Sequence, residues 1–150
     1  MMMHKQVDIP SVIAEYSFYF ITILATFNCL KRPDWNFAFG LLSYFMVKNI
    51  QSPTNYYTLE AGNVKLMLIV LNIGLIIFDI VWVFTLGSVW HGKPTHDKII
   101  WEGFSTLHTF ILTVSVIIIL IRIVATIFLV YMQRTHETRD THSRDHNLVH

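Results

Sequence analysis

The sequence predicts an all-α membrane protein, a bundle of four transmembrane helices followed by a polar C-terminal tail. Three observations carry that prediction. Hydrophobic residues make up 53% of the 150 residues against 14% charged, too lopsided for a water-facing surface. Four apolar runs, at roughly 11–30, 35–50, 64–88 and 104–132, approach or exceed the ~20 residues a spanning helix needs. After Tyr131 the apolar pattern stops at Gln133-Arg134-Thr135-His136-Glu137.

Before the first run, Met1 to Asp8 is short, nearly free of basic residues and not serine-rich, unlike a mitochondrial presequence. The run itself carries Glu15 and lacks a small-residue cleavage site, so it reads as a retained span. Lys31-Arg32-Pro33-Asp34 then makes a tight polar turn, and Trp35 stands where an interfacial aromatic belongs. The second run, Trp35 to Ile50, is short. It reads as a tilted span with a snorkelling Lys48 or as a re-entrant segment, and the span is the favoured reading. Gln51-Ser52-Pro53-Thr54-Asn55 and His91-Gly92-Lys93-Pro94-Thr95 separate the remaining runs with turn-forming residues. The tail from 133 to 150 has no apolar period and reads as a solvated, flexible extension.

Four spans place both termini and the second loop on one side, with Lys5, Lys48, Lys65, Arg134, Arg139 and Arg144. The other side holds Lys31, Arg32, Lys93 and Lys98, a modest bias for the termini facing cytoplasm or matrix.

Residues seven apart lie on nearly one helix face, so polar spacing shows which face is turned from lipid. In the first span Ser11, Glu15, Thr22, Thr26 and Cys29 share a sector; in the third, Lys65, Asn72 and Asp79 recur at sevens. In the fourth, His108, Ser115 and Arg122 do the same, extended by Thr126 and Gln133. Asn36, Gly40 and Ser43 form a small-residue packing stripe on the second. An intramembrane charge costs roughly 3 kcal/mol on insertion scales, so such groups turn inward and find partners. Counting depth from the loops pairs Asp79 with His108, and Glu15 with Arg122 or Lys65, as clamps on helix register. The alternative is a proton or ion path through Glu15, Asp79, His108 and Arg122.

Other chemistry lacks its residues. The formal charge of +1 gives no nucleic-acid footprint, and one cysteine, Cys29, permits no intrachain disulfide. A haem within the bilayer needs a second histidine beside His108. His142, His146 and His150, spaced by fours, would make a metal face only if the tail were ordered, so no metal or cofactor is expected. No phosphate loop, nucleophile elbow or zinc-helix motif occurs, no small-molecule substrate is evident, and the chain is expected not to be an enzyme.

Trp35-Asn36-Phe37 opening the second span, Ile76-Ile77-Phe78-Asp79-Ile80-Val81 in the third, and the final apolar helix ending Tyr131-Met132-Gln133-Arg134 together resemble the type-1 angiotensin II receptor-associated protein family of small polytopic membrane proteins. The resemblance covers residues 35 to 134 and implies a non-enzymatic adaptor of internal membranes whose tail meets a membrane partner. The chain departs from it in the histidine-rich tail and in Trp82. A second expectation is an accessory subunit of a large membrane assembly, such as a respiratory or ATP synthase complex of the mitochondrial inner membrane. Either role works through other membrane subunits and lipids. Trp82, Trp101, Arg134, His136 and Arg139 are the partner-contact candidates, with outward rings expected at Phe18, Phe20, Phe39, Phe45, Phe84, Phe104, Phe110 and Phe128.

Overall fold

The computed structural model describes the backbone of residues 9–29, 34–50, 58–90 and 98–147, and the side chains in those ranges apart from 58–61, 98–104 and 136–147. The described residues form four helices: α1 (Ile9–Asn28), α2 (Trp35–Ile50), α3 (Thr58–Trp90) and α4 (Lys98–Asn147). The three predicted loop cores, residues 30–33, 51–57 and 91–97, lie outside the described residues.

Local chemistry sets the helix limits. Pro10 sits in the first turn of α1, where a missing N–H costs nothing. At the head of α2, Asp34 is the N-cap: its Oδ1 accepts from the Asn36 backbone N–H at 3.0 Å. The many β-branched residues of α3 and α4 are indifferent helix formers in water, but in hydrocarbon every backbone polar group must be satisfied within its own segment. Three helices contain stretches long and apolar enough to cross a membrane: Ile9–Asn28, Gly62–Trp90 and Ser105–Thr135. With 16 residues, about 24 Å of helix, α2 falls short of that length.

The helices pack as a ring in which α1 meets α2 and α4, and α4 meets α3, while α2 and α3 touch least. Paired contacts show that neighbours run antiparallel. Tyr19 meets Tyr44, Asn28 meets Ser115, and Trp90 meets His108 while Asn72 lies beside Arg122. The start of α1 and the far end of α4 therefore lie at the same end of the bundle.

Each helix buries a seam with alternating steps of three and four. On α1 it runs Ser11, Ala14, Phe18, Ile21, Ala25, Asn28; on α2, Asn36, Gly40, Ser43, Val47. Lys65, Leu68, Asn72 and Asp79 are buried on α3, and α4 supplies His108, Ile111, Ser115, Ile118, Arg122, Ala125, Leu129 and Met132. That spacing is the knobs-into-holes period of helical bundles. The exterior is inverted relative to a water-soluble protein, with Phe84, Trp35, Val70, Ile127, Ile77 and Tyr131 more than half exposed. Such a surface suits lipid or apolar protein and is unsuited to water.

Three expectations need correction. First, the inward face of α1 is its small-residue seam, so Phe18 is buried while Thr26 and Cys29 are exposed. The threonines need no inward partner because Thr22 Oγ1 donates to the Phe18 carbonyl at 2.9 Å and Thr26 Oγ1 to the Thr22 carbonyl at 3.0 Å. Second, Phe39 and Phe128 are half-buried; Phe20, Phe45, Phe84 and Phe110 do point outward. Third, no separate unstructured tail begins at Gln133, because α4 continues as one helix of 50 residues to Asn147. Extending an existing helix adds a hydrogen bond per residue fixed and avoids a new nucleation step.

Candidate functional site

The seams bring their polar members together in one network that joins all four helices. Arg122, from the middle of α4, is 1% exposed. Its Nη2 donates to Asn36 Oδ1 of α2 at 2.6 Å and its Nη1 to Asn72 Oδ1 of α3 at 3.4 Å. Its Nε lies 3.9 Å from Asp79 Oδ2, a salt bridge at the outer limit of contact. Asn36 Nδ2 in turn donates to Asp79 Oδ1 at 3.0 Å. Through the N-cap the network continues to α1, where Asn28 Nδ2 donates both to Asp34 Oδ2 at 2.9 Å and to Ser115 Oγ of α4 at 3.1 Å.

Each link has a local cause. Asn72 is held by its own Nδ2 donating to the Leu68 carbonyl at 2.7 Å, which turns Oδ1 toward Arg122. Ser115 Oγ donates to the Ile111 carbonyl at 2.9 Å, leaving its oxygen to accept from Asn28. Asn36 is the hub, since its backbone binds Asp34, its amide nitrogen Asp79 and its amide oxygen Arg122.

Of the pairings expected from depth counting, Asp79 with His108 and Glu15 with Arg122 give way to different ones. His108 stacks on Trp90, with ring centroids 4.3 Å apart and planes 15° from parallel. Trp90 lies about 16 Å further along α3 than Asp79, so Asp79 and His108 sit at different levels. Side chains tilt toward the N-terminus of their own helix. In an antiparallel pair Asp79 and Arg122 therefore lean toward each other, whereas Asp79 and His108 lean apart. The same tilt carries Arg122 toward Ser115 and away from Glu15, which lies about 20 Å from Asn28 along α1. Glu15 instead lies within electrostatic range of Lys48, whose Nζ donates to Tyr44 Oη at 3.2 Å. Lys65 is buried on the same seam as Asn72, nearer the start of α3.

Gly40 and Ser43 are buried where α2 crosses α1, and only a hydrogen at Gly40 fits against Thr22. Of the partner-contact residues, Trp82 is half-buried and meets Trp90 edge-on at 5.8 Å, and Arg134 is exposed. The side chains of Trp101, His136 and Arg139 lie outside the described residues, as do those of His142, His146 and His150. Among the described residues, no three metal-ligating side chains converge.

The sequence reading identified Asp79, Asn72, Ser115 and Arg122 as inward groups. It took Asn36 as a packing residue only, and passed over Asn28 and Asp34. The missing signals were the seam spacing of three and four, which ends on Asn28, and the position of Asp34 one residue before a helix. The cap gives a first expected outcome: Asp34→Ala removes the acceptor for the Asn36 N–H and for the Asn28 amide. A loss of about 1–2 kcal/mol in denaturant unfolding of the detergent-solubilised protein is the measurable result.

Beside the network, between α2 and α3, lies a cavity of about 210 Å³ lined by Asp34, Trp35, Asn36, Phe39, Leu75, Phe78 and Asp79. It occupies the seam where the ring of helices closes least tightly. A larger surface groove of about 450 Å³ between α1 and α4 is almost wholly apolar, bounded by residues such as Val12, Tyr16, Phe20 and Val124. Comparison with protein-family models, curated proteins and solved structures finds no match for this chain.

Proposed function

We propose that the chain is a non-catalytic integral membrane protein that works by association, as an accessory subunit of a larger membrane complex or as a membrane adaptor. The observation that carries this reading is where the polar groups go. Arg122, Asp79, Asn36 and Asn72 bind one another across the bundle, and the outer face is left to apolar and aromatic side chains. A network of this kind fixes helix register and orientation. The exterior then supplies a surface for lipid or for the apolar flank of another subunit.

In this reading α2 crosses the bilayer tilted, both termini lie on the cytoplasmic or matrix side, and the membrane is the mitochondrial inner membrane or an endomembrane. The adaptor form draws on the resemblance of residues 35 to 134, and the helical extension of α4 past Thr135 gives it an arm outside the bilayer. A conducting role needs Glu15, Asp79, His108 and Arg122 along one path. His108 is stacked on Trp90 and Glu15 lies within electrostatic range of Lys48, while Asp79 and Arg122 hold each other.

The test is extraction of the tagged protein from its native membrane in mild detergent, sizing on a native gel, and mass spectrometry of what travels with it. The expected result is comigration with other membrane subunits in fixed ratio. A lone small species, together with ion flux in reconstituted vesicles that Asp79→Asn abolishes without loss of abundance, would replace association with conduction.

A further inference from the structure

We propose that the bundle sits in a bilayer of two thicknesses: lipid headgroups descend beside α1 and α2 to the level of Asn28 and Trp35, while the hydrocarbon beside α3 and α4 continues past that level to Trp90. The inference adds a lipid partner to the reading of an associating subunit and does not depend on that reading.

The contacts between helices set the levels. Asn28, at the end of α1, meets Ser115, whereas Trp90, at the end of α3, meets His108. Seven residues of α4 separate those two points, about 10 Å of helix. The α3–α4 pair therefore runs on by about 10 Å beyond the end of α1. Burial follows the same geometry. No side chain of α3 from 80 to 90 is buried, and of α4 between 105 and 110 His108 alone is.

Both levels carry the residues of a membrane surface. At the lower one Trp35 is 68% exposed, Asp34 caps α2, and Lys31 and Arg32 precede them in the sequence. At the upper one Trp90 is followed in the sequence by His91 and Lys93. Across the interval α3 turns Val89 and Phe84 outward, and Phe84 is 75% exposed. A flat bilayer fails one flank or the other. It either sinks Asp34 and the cations before it into hydrocarbon or strands the α3 side chains in water.

Length points to thinning on the α1–α2 flank. From Trp35 to Lys48 is thirteen residues, about 20 Å, against a hydrocarbon core of about 30 Å. Lys48 does not lengthen that reach, since its Nζ donates to Tyr44 Oη, one turn back toward the middle of α2. Tilting α2 shortens it further, and a span this short is met by thinning the lipid around it. On α3 the exposed apolar side chains run from Leu66 to Val89, about 35 Å.

Two sites at one level on different flanks test this. Cys29, the only cysteine, is exposed one residue past α1, and Phe84, six residues back from Trp90, lies close to its level on α3. A nitroxide is attached to Cys29 in one full-length protein, and in another to the thiol of Phe84→Cys in a Cys29→Ser background. Both are reconstituted in phosphatidylcholine vesicles. Saturation of the nitroxide signal then reads collisions with oxygen, which concentrates in hydrocarbon, and with a water-soluble nickel chelate. The label at Cys29 is expected to favour the chelate and the label at position 84 oxygen, with the ratio of the two rates differing several-fold between them. Should Phe84→Cys lower the melting temperature, Thr85→Cys, also at an exposed position, takes its place. Both labels favouring oxygen would mean a flat bilayer that covers the end of α1. Both favouring the chelate would mean a helix pair standing in water, left for a protein to cover. Either result, or the reverse order, overturns the proposal.

Discussion

Replacing Arg122 by Met is expected to destabilise the bundle more than any other single change at the network, by about 3–5 kcal/mol, the range for removing one partner from a buried ion pair. The side chain is among the largest that are fully buried, and it binds across two helix interfaces at once. Met fills most of its volume and supplies no donor. Asn36 Oδ1 and Asn72 Oδ1 then lose their guanidinium hydrogen bonds, and the nearby positive charge that stabilises the Asp79 carboxylate is gone. The check is denaturant or thermal unfolding of the solubilised protein, with abundance in the membrane as a second readout. Adding Asp79→Asn in the Arg122→Met background removes the stranded charge, and the double variant is expected to be more stable than Arg122→Met alone. Additive losses in that cycle would show that the two residues act independently. Arg122→Lys is expected to fall between, because one ammonium lacks the planar fork that reaches two amide oxygens on different helices.

The helical class and the inward faces of α3 and α4 were legible because lipid makes both signals simple. Apolar length marks a span, and a polar residue recurring every seven marks the side facing protein. Asn72, Asp79, Ser115 and Arg122 were readable for that reason. The partners were not, because counting residues locates Cα atoms while contact depends on where side chains reach. Arg122 is long and tilts toward the start of α4, Asp79 tilts toward the start of α3, and the antiparallel arrangement turns an apparent difference in depth into a contact. The threonine stripe of α1 misled for a different reason. A threonine hydroxyl in a helix can bond to the carbonyl one turn back, so it carries little information about facing, whereas the alanines and Asn28 on the same helix carry more. Asp34 escaped notice because it read as part of a turn, and its two roles, capping α2 and binding Asn28, appear only when the turn closes.

At the α1–α2 contact, Gly40→Ala is expected to destabilise the protein by about 1–3 kcal/mol, although alanine is the better helix former. A Cβ built at Gly40 meets Thr22 Oγ1 at 2.7 Å, closer than real Cβ atoms come, and Ile21 Cγ2 and the Thr22 backbone nitrogen each at 3.2 Å. The hydroxyl is not free to swing clear, since it donates to the Phe18 carbonyl at 2.9 Å, and Ile21 is fully buried. Relief must come from separating α2 from α1. That motion would also draw Asn36, one turn earlier on the same face, away from Asp79 and Arg122. Thr22→Ala in the Gly40→Ala protein removes the closest atom and is expected to recover part of the loss, leaving the tight approach to the Thr22 backbone in place. Denaturant unfolding of both variants and the double variant measures the coupling. A Gly40→Ala protein as stable as the parent would mean that α2 can ride outward at little cost, and that the amide and carboxylate contacts it makes through Asn36 do not hold it against α1.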